Sequence, residues 1–316
     1  MEKDYLRALG LTGESHGVNR VQEISFDNSG VFLSWWFEDR SLTGKAQQIF
    51  ERYYAHYRLG FDGYLKKAWT ERHLELEREL DSIGDKSNVK ILDLGCGTGS
   101  IALYIAGKFG EKCDVFGLDI NQGRLLCARE RQKILEEKLG YKLRCRYIES
   151  NVLSLNEECK FDLIYLEETL HHMEPRLEVV AKISNLLNSG GTLIISEANA
   201  WNPFMQLSLL KQRGLRTIVK KLGKNGEPIW YGVERIVRAS SVSRLFRKYG
   251  VEVKSVRYFR IGSSQMGRFA DKCGIDLHRM EKKLCKMPIL RNLFSVHYNM
   301  VFSKEGRGIS VRKKSP

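Results

Sequence analysis

Only five prolines occur in 316 residues, and no stretch approaches the roughly 18 uninterrupted apolar residues of a membrane span. A proline-rich linker protein and a helical membrane protein are both excluded. The seven cysteines, Cys96, Cys113, Cys127, Cys145, Cys159, Cys273 and Cys285, include no CxxC pair. Zinc and iron–sulfur spacings are therefore missing, and free thiols in a reducing compartment are expected. The opening MEKDYLRALG has no apolar run behind a basic segment, so no secretory leader is expected and a cytoplasmic location follows. There is no internal repeat, no low-complexity stretch apart from the terminal VRKKSP, and no evident cluster of oxygen ligands, so no metal is expected.

What is present is core-forming material: 42% hydrophobic and 28% charged residues, a globular composition. The length exceeds what one compact α/β domain of about 150–200 residues needs, so a core domain with added pieces is expected. The net charge of +14 is unevenly spread. Met1 to Ala200 carries 26 Lys and Arg against 31 Asp and Glu, and Trp201 to Pro316 carries 26 against 7. A block so one-sided repels itself and points to an anionic partner.

From Lys90 onward, short β-branched apolar runs (Val89 to Leu94, Asp114 to Leu118, Leu143 to Ile148, Phe161 to Leu166, Thr192 to Ser196) alternate with helix-length amphipathic segments. This is the pattern of a parallel sheet covered by helices. Val251 to Tyr258 and Phe294 to Phe302 bring the expected count to seven strands. Before this core, Val21 to Phe26 and Val31 to Phe37 flank the turn-forming Asp27-Asn28-Ser29-Gly30 and read as a hairpin, and Ser41 to Leu80 reads as helical. The aromatics Phe50, Tyr53, Tyr54 and Tyr57 either pack this region onto the core or line a pocket beneath a lid. The expected divisions are an N-terminal hairpin and helical lid (1–85), a nucleotide-binding core (86–200), a basic helical insertion (201–250), the last two strands with a helical cap between them (251–303) and a basic tail (304–316).

The segment Val89-Lys90-Ile91-Leu92-Asp93-Leu94-Gly95-Cys96-Gly97-Thr98-Gly99-Ser100 is a buried strand entering a glycine-rich turn and then a helix, Ile101 to Phe109. Gly95, Gly97 and Gly99 let the backbone turn tightly and approach a ligand, which implies a nucleotide cofactor. The spacing is GxGxG. A dinucleotide fingerprint needs glycine where Ser100 stands, and the GK[ST] ending of a P-loop is missing. Twenty residues beyond Gly99, the strand Val115-Phe116-Gly117-Leu118-Asp119 ends in an acid that can accept both hydroxyls of a ribose.

With the helix end, glycine turn and strand of Leu187-Asn188-Ser189-Gly190-Gly191-Thr192-Leu193, these motifs make the chain resemble the class I S-adenosylmethionine-dependent methyltransferases, nearest the small-molecule, quinone-biosynthesis-like superfamily. The resemblance covers roughly Ser87 to Glu197. It implies a Rossmann-like, doubly wound, seven-stranded α/β fold, S-adenosylmethionine (SAM) as cofactor and S-adenosylhomocysteine as product. It implies that Asp93 holds the methionine amine, that Gly95, Cys96, Gly97 and Gly99 wrap the aminopropyl chain and ribose, that Asp119 takes the ribose hydroxyls and that Ile120 lies on the adenine face. The family's next position is usually Asp. Here Asn151-Val152 stands instead, and the Asn151 amide oxygen can still accept from the adenine amine.

After the fourth strand comes Glu167-Glu168-Thr169-Leu170-His171-His172-Met173-Glu174, which in the family faces the acceptor; it lacks the (D/N)PP(Y/F) motif of enzymes that methylate base nitrogens. Methyl transfer is an in-line displacement, so the protein aligns donor and acceptor and removes a proton from a hydroxyl or acidic carbon. His171 or His172 suits that proton transfer, or else packs the helix start. Glu167 and Glu168 read as a contact near the cofactor's methionine end, a substrate-amine anchor or, the plainest of the three, helix-terminal acids favoured by the dipole.

In the basic third, Leu215, Ile218, Val219 and Leu222 sit at helical spacing among Arg213, Arg216, Lys220, Lys221 and Lys224, so 201–224 is expected to form a basic amphipathic helix. Its anionic partner is a membrane surface bearing a lipid-like substrate, a phosphate or coenzyme A group, or RNA; failing these, the segment is a solvated face. Aliphatic residues and Met205 favour lipid over RNA, which usually adds stacking aromatics. Arg235, Arg238, Arg244, Arg247 and Lys248 extend the patch. The function expected is methylation, O- or C-directed, of a small-molecule or lipid-like acceptor. RNA methylation and a non-catalytic SAM-binding module are the alternatives.

Overall fold

The computed structural model describes residues 24–26, 32–33, 41–54, 63–84, 86–222, 228–262 and 264–305. Seven strands form one sheet: β1 (Val89–Leu94), β2 (Cys113–Asp119), β3 (Cys145–Glu149), β4 (Phe161–Glu167), β5 (Leu187–Ala198), and two later ones, Val251–Ile261 and Ser295–Lys304. Counting along the sheet the order is β3-β2-β1-β4-β5, then Ser295–Lys304, then Val251–Ile261 at the edge. The first five run parallel, and Ser295–Lys304 is antiparallel to both neighbours. The expected doubly wound sheet is present. Ile91, Leu92 and Leu94 of β1 are wholly inaccessible, as the near-continuous apolar run requires when helices cover both faces of parallel strands.

The helices follow from local signals. Helix α3 (Ser100–Phe109) opens on Gly99, whose left-handed φ of 78° no β-carbon residue adopts cheaply. Helix α4 (Gln122–Leu139) starts on Asn121, whose side chain accepts the Arg124 N–H, and stops at left-handed Gly140. Helix α5 (Arg176–Leu186) buries Val179, Val180, Ile183 and Leu186 on the other face. Two earlier helices, α1 (Gly44–Tyr54) and α2 (Gly63–Ile83), precede the sheet. Leu76 and Leu80 of α2 join Phe26, Phe32, Leu33 and Phe50 in the core that also holds α3. Phe50 is buried with the Arg131 guanidinium 4.6 Å from its ring centre, so it packs the N-terminal region onto the core.

Two expectations are corrected. Phe32 and Leu33 are helical, not part of a second hairpin strand; the 27–30 turn and Tyr57 lie outside the described residues. From Gly44 on, the described part of 41–80 is helical as expected, in α1 and α2, with 55–62 outside the described residues. The basic insertion is not one helix: α6 covers only Pro203–Arg213, and Ile218–Leu222 is β6, paired antiparallel with β7 (Pro228–Gly232). Gly214 (φ 62°) caps α6 through its N–H on Leu210 O. Beyond it, β-branched Ile218 and Val219 face Gly232 and Tyr231 across the ribbon, a setting that suits them better than a helix. The strand also avoids the Arg216/Lys220 like-charge helical pair, and Lys221 lies 3.6 Å from the Tyr231 ring centre. After this ribbon come α7 (Ala239–Arg247), β8 (Val251–Ile261), three short helices α8 (Ser264–Lys272), α9 (Leu277–Leu284) and α10 (Pro288–Phe294), and β9 (Ser295–Lys304).

Candidate active site

The strand order reverses between β1 and β4. At that switch, the carboxyl ends of the strands leave a crevice, the usual ligand position in doubly wound sheets. Two adjoining cavities of about 200 and 190 Å³ lie there, and both are lined by Gly95, Arg124, Glu168 and Thr169. A larger cleft of about 500 Å³ opens around Val89 and the Ser189–Thr192 turn, and none of Asp93, Gly95, Gly97, Gly99 or Asp119 lines it.

One cavity also contains Leu118, Asp119, Ile120, Asn151, Val152 and His172. Asp119 ends β2 and is buried; its Oδ2 accepts the Gly97 N–H at 3.0 Å and its Oδ1 the Asn121 N–H at 2.7 Å. Each oxygen keeps a second lone pair for a ribose hydroxyl. Ile120, next to it, is 46% exposed, an apolar side chain at the cavity wall available to an adenine face. Asn151 Oδ1 accepts from Leu153 N at 3.0 Å, capping a short helical turn, and Val152 is buried.

The other cavity holds Asp93, Cys96, Gly97, Ser100 and Glu167, with Leu33, Trp69 and Arg72 from the N-terminal region. Asp93 Oδ2 accepts from Ala102 N at 3.1 Å. Burial, reinforced by the nearby Glu167 carboxylate, pushes Asp93 up to about 8. A neutral or frustrated buried acid of this kind suits a cationic amine. Burial also pushes the Cys96 thiol well up, so it lines the wall as an unreactive group. At Gly95 the loop leaves no room for a side chain: a β-carbon there (φ +82°) would lie 2.2 Å from Thr169 Cγ2. The residues thus fit a nucleotide-sized cofactor wrapped by bare backbone.

Glu167 and Glu168 are tied to elements that the sequence reading did not single out. Arg72 Nη1 of α2 lies 3.2 Å from Glu167 and 3.1 Å from Glu168. His73 Nε2 is 2.9 Å from Glu167 Oε2, and His297 Nδ1 is 2.8 Å from Glu168 Oε1. Burial works against ionising Glu167, but His73 and Arg72 outweigh it and hold it at about 2; His297 and Arg72 hold Glu168 well below the usual carboxylate range. Arg72 is an interior cation clamping two adjacent acids, and α2 thereby forms one wall of the crevice.

The two histidines occupy different environments. His171 is buried, with Nδ1 2.6 Å from Glu197 Oε2. Glu197 is fully buried at the end of β5 and also accepts the N–H groups of Thr169 at 3.0 Å and His171 at 3.3 Å. Burial would push His171 down, but Glu197 carries it up to about 9. His172 lines the cavity, donates Nδ1–H to Gly232 O at 2.8 Å and stacks on Tyr231, ring centres 4.7 Å apart. Burial and the neighbouring His171 push His172 down to about 4, leaving a neutral ring with Nε2 unprotonated. Ile229, Trp230 and Tyr231 of the ribbon line the same cavity as Val152, a contribution hidden while 201–224 is read as a helix.

A family model for a methyltransferase domain matches residues 85–243. The chain belongs to this family. Glycine loop, acid-tipped second strand and sheet order are those of the class I SAM-dependent methyltransferases. Among curated methyltransferases, the malonyl-[acyl-carrier protein] O-methyltransferase 1 of Ilyobacter polytropus is 29% identical over 137 residues, 43% of this chain and 47% of that protein. The ubiquinone biosynthesis O-methyltransferase of Alkalilimnicola ehrlichii is 27% identical over 184 residues, 58% of this chain and 69% of that protein. The demethylmenaquinone methyltransferase of Bacillus mycoides is 28% identical over 131 residues, 41% and 53%. Such matches span about half the length of several of these relatives. A solved structure from Galdieria sulphuraria, described as a sarcosine dimethylglycine methyltransferase, shares the fold with a TM-score of 0.53 at 16% identity, covering 81% of this chain and 98% of that one. No helix among the described residues of this methyltransferase-family chain is long and apolar enough to cross a membrane.

Proposed function

We propose that the chain transfers the methyl group of SAM to an oxygen or acidic carbon of a small-molecule or lipid-like acceptor. The observation that carries this is the convergence of Asp93, the Gly95–Gly99 loop and Asp119 on a crevice whose acceptor side presents His172. The bound cofactor supplies an activated methyl on sulfur. Asp93 would hold its amine, Asp119 its ribose, Ile120 its adenine face, and Asn151 the adenine amine. His172, neutral near pH 7 with Nε2 free of its proton, would accept the acceptor's proton; His171, tied to Glu197, would position the loop. The relatives named for malonyl-carrier, ubiquinone and menaquinone methylation support an acceptor of that small or lipid-like kind.

A lipid-like acceptor is favoured by one surface. On α6, Phe204 is 68% exposed, Leu207 and Leu210 are also exposed, and Trp201 precedes them; Phe204 and Phe294 of α10 lie 6.5 Å apart between ring centres. Lys211 and Arg213 end the same helix. Exposed apolar side chains beside cations fit the interfacial layer of an anionic membrane, with the reaction on its cytoplasmic side. Transfer of labelled methyl from SAM into a host-cell extract, separated into lipid, water-soluble, RNA and protein fractions, tests the reading. Label in lipid or small molecules supports it; label confined to RNA replaces it with RNA methylation; SAM binding with no label in any extract favours a non-catalytic module.

A further inference from the structure

Both Nε2 atoms of the histidine pair turn toward the same carboxylate. His171 Nε2 is 3.6 Å from Glu234 Oε2, and His172 Nε2 is 3.8 Å from Glu234 Oε1. One ligand atom from each of the three residues can be chosen so that all lie within 4.8 Å of one another. Two ligands bonded at about 2.0–2.1 Å to a tetrahedral zinc stand roughly 3.3 Å apart, so the carboxylate distances are already within about half an ångström of a coordination sphere.

The surrounding bonds resemble those that orient metal-binding imidazoles. Histidines that ligate through one nitrogen commonly donate the other N–H to a carboxylate or backbone carbonyl, fixing tautomer and ring. His171 does so to Glu197 at 2.6 Å and His172 to the Gly232 carbonyl at 2.8 Å. Glu234 is delivered by the ribbon. Tyr231 bridges to Met173, and Gly232 packs so close that a β-carbon there would lie 2.2 Å from His171 O. Two residues further on, Glu234 itself has left-handed backbone, φ 47°, a costly conformation for a side chain of its kind. Its side chain remains 42% exposed and able to close the short gap. The neighbouring group of Glu168, His171 and Glu197 is a poorer candidate, because it relies on the His171 nitrogen already committed to Glu197.

We propose that His171 Nε2, His172 Nε2 and Glu234 form a site for a divalent transition metal of the zinc class at the wall of the acceptor cavity. Three protein ligands leave an open position, and because His172 lines the cavity an oxygen of the acceptor can fill it. The assignment of the site stands on these distances alone. Its role toward an acceptor oxygen rests on the methyl-transfer reading: an oxygen held at the open position would have its pKa lowered and release its proton to solvent water, in place of direct transfer to His172. Such a set is not legible along the chain, because its ligands come from two segments 62 residues apart at the nearest.

The full chain, stripped with a chelator and dialysed, is titrated with Zn²⁺ by calorimetry and with Co²⁺ by visible absorption, and bound zinc per chain is measured after desalting. One Zn²⁺ per chain and a ligand-field spectrum are expected. Glu234→Gln should weaken Zn²⁺ binding by more than the roughly 10–100-fold typical of losing an outer-shell partner, and Glu197→Gln by about that factor. Glu234 is partly exposed, so the stripped Glu234→Gln protein should melt close to wild type. No zinc retained, or Zn²⁺ affinity unchanged in Glu234→Gln, overturns the proposal. SAM affinity of the same stripped sample separates the two readings: SAM binding without zinc binding sinks the metal site alone, whereas zinc binding without SAM binding sinks the methyl-transfer reading alone.

Discussion

Asp119 Oδ2 accepts the N–H of Gly97 at 3.0 Å, so the acid that ends β2 shapes the glycine loop of β1 as well as facing the cavity. If, as proposed, it also holds the ribose, this carboxylate has two reasons to be intolerant of change. Asp119→Ala should raise the dissociation constant for SAM by roughly 10–100-fold, the equivalent of about 1.5–3 kcal/mol for hydrogen bonds to a charged group. Calorimetric titration checks this, and an unchanged constant would remove the basis for the cofactor assignment.

Asp93 gives the pH dependence. Its carboxyl is raised by burial to about 8 in the cofactor-free protein, and a cationic amine opposite it favours the ionised form, so binding releases a proton below that pH. The sign is therefore fixed: SAM affinity should rise with pH between about 5.5 and 7.5, by up to tenfold per unit, below the roughly 7.7–8.0 range where α-amino groups titrate. Asp93→Asn should flatten the profile. A wild-type affinity independent of pH in this window would show that Asp93 does not meet the amine.

The two histidines should separate kinetically. His172→Ala should leave SAM affinity within a factor of a few and lower turnover by about 10²–10⁴, the usual contribution of a positioned proton acceptor. His171→Ala should also lower the melting temperature, because it strands the wholly buried Glu197 carboxylate. Full turnover in His172→Ala would reject its role.

Arg72 is expected to matter for folding more than its surface-like residue type suggests. It neutralises Glu167 and Glu168 from the interior, and removing one partner of a buried ionic group costs about 3–5 kcal/mol. Arg72→Met should lose stability of that order in urea unfolding. A loss below about 1 kcal/mol would mean that water already reaches these acids.

The membrane-facing surface has a direct test. Phe204→Ser with Leu207→Ser should reduce sedimentation with anionic phospholipid vesicles while leaving SAM affinity unchanged, since neither residue lines the crevice. Equal sedimentation of variant and wild type would remove α6 from the interface.

The sequence by itself determined the sheet and the cofactor loop. Strands β1, β2 and β4 are largely apolar because both their faces are covered, and the turn at Gly95 to Gly99 is legible because glycine suits its left-handed backbone and close contacts. These are local constraints, written over a dozen residues. The acceptor side was decided by the tertiary structure. Arg72 meets Glu167 from 95 residues away, Glu197 reaches His171 across 26, and His172 meets Gly232 across 60. Helical periodicity in 215–222 pointed to one amphipathic helix, but Gly214 ended α6 and cross-strand pairing of Ile218 and Val219 won over spacing. That change of element is what brings Tyr231 onto His172 and Glu234 to both imidazoles. Burial lowers both adjacent histidines, but Glu197, distant in the chain, overrides it and raises His171, while the cationic His171 lowers His172 further.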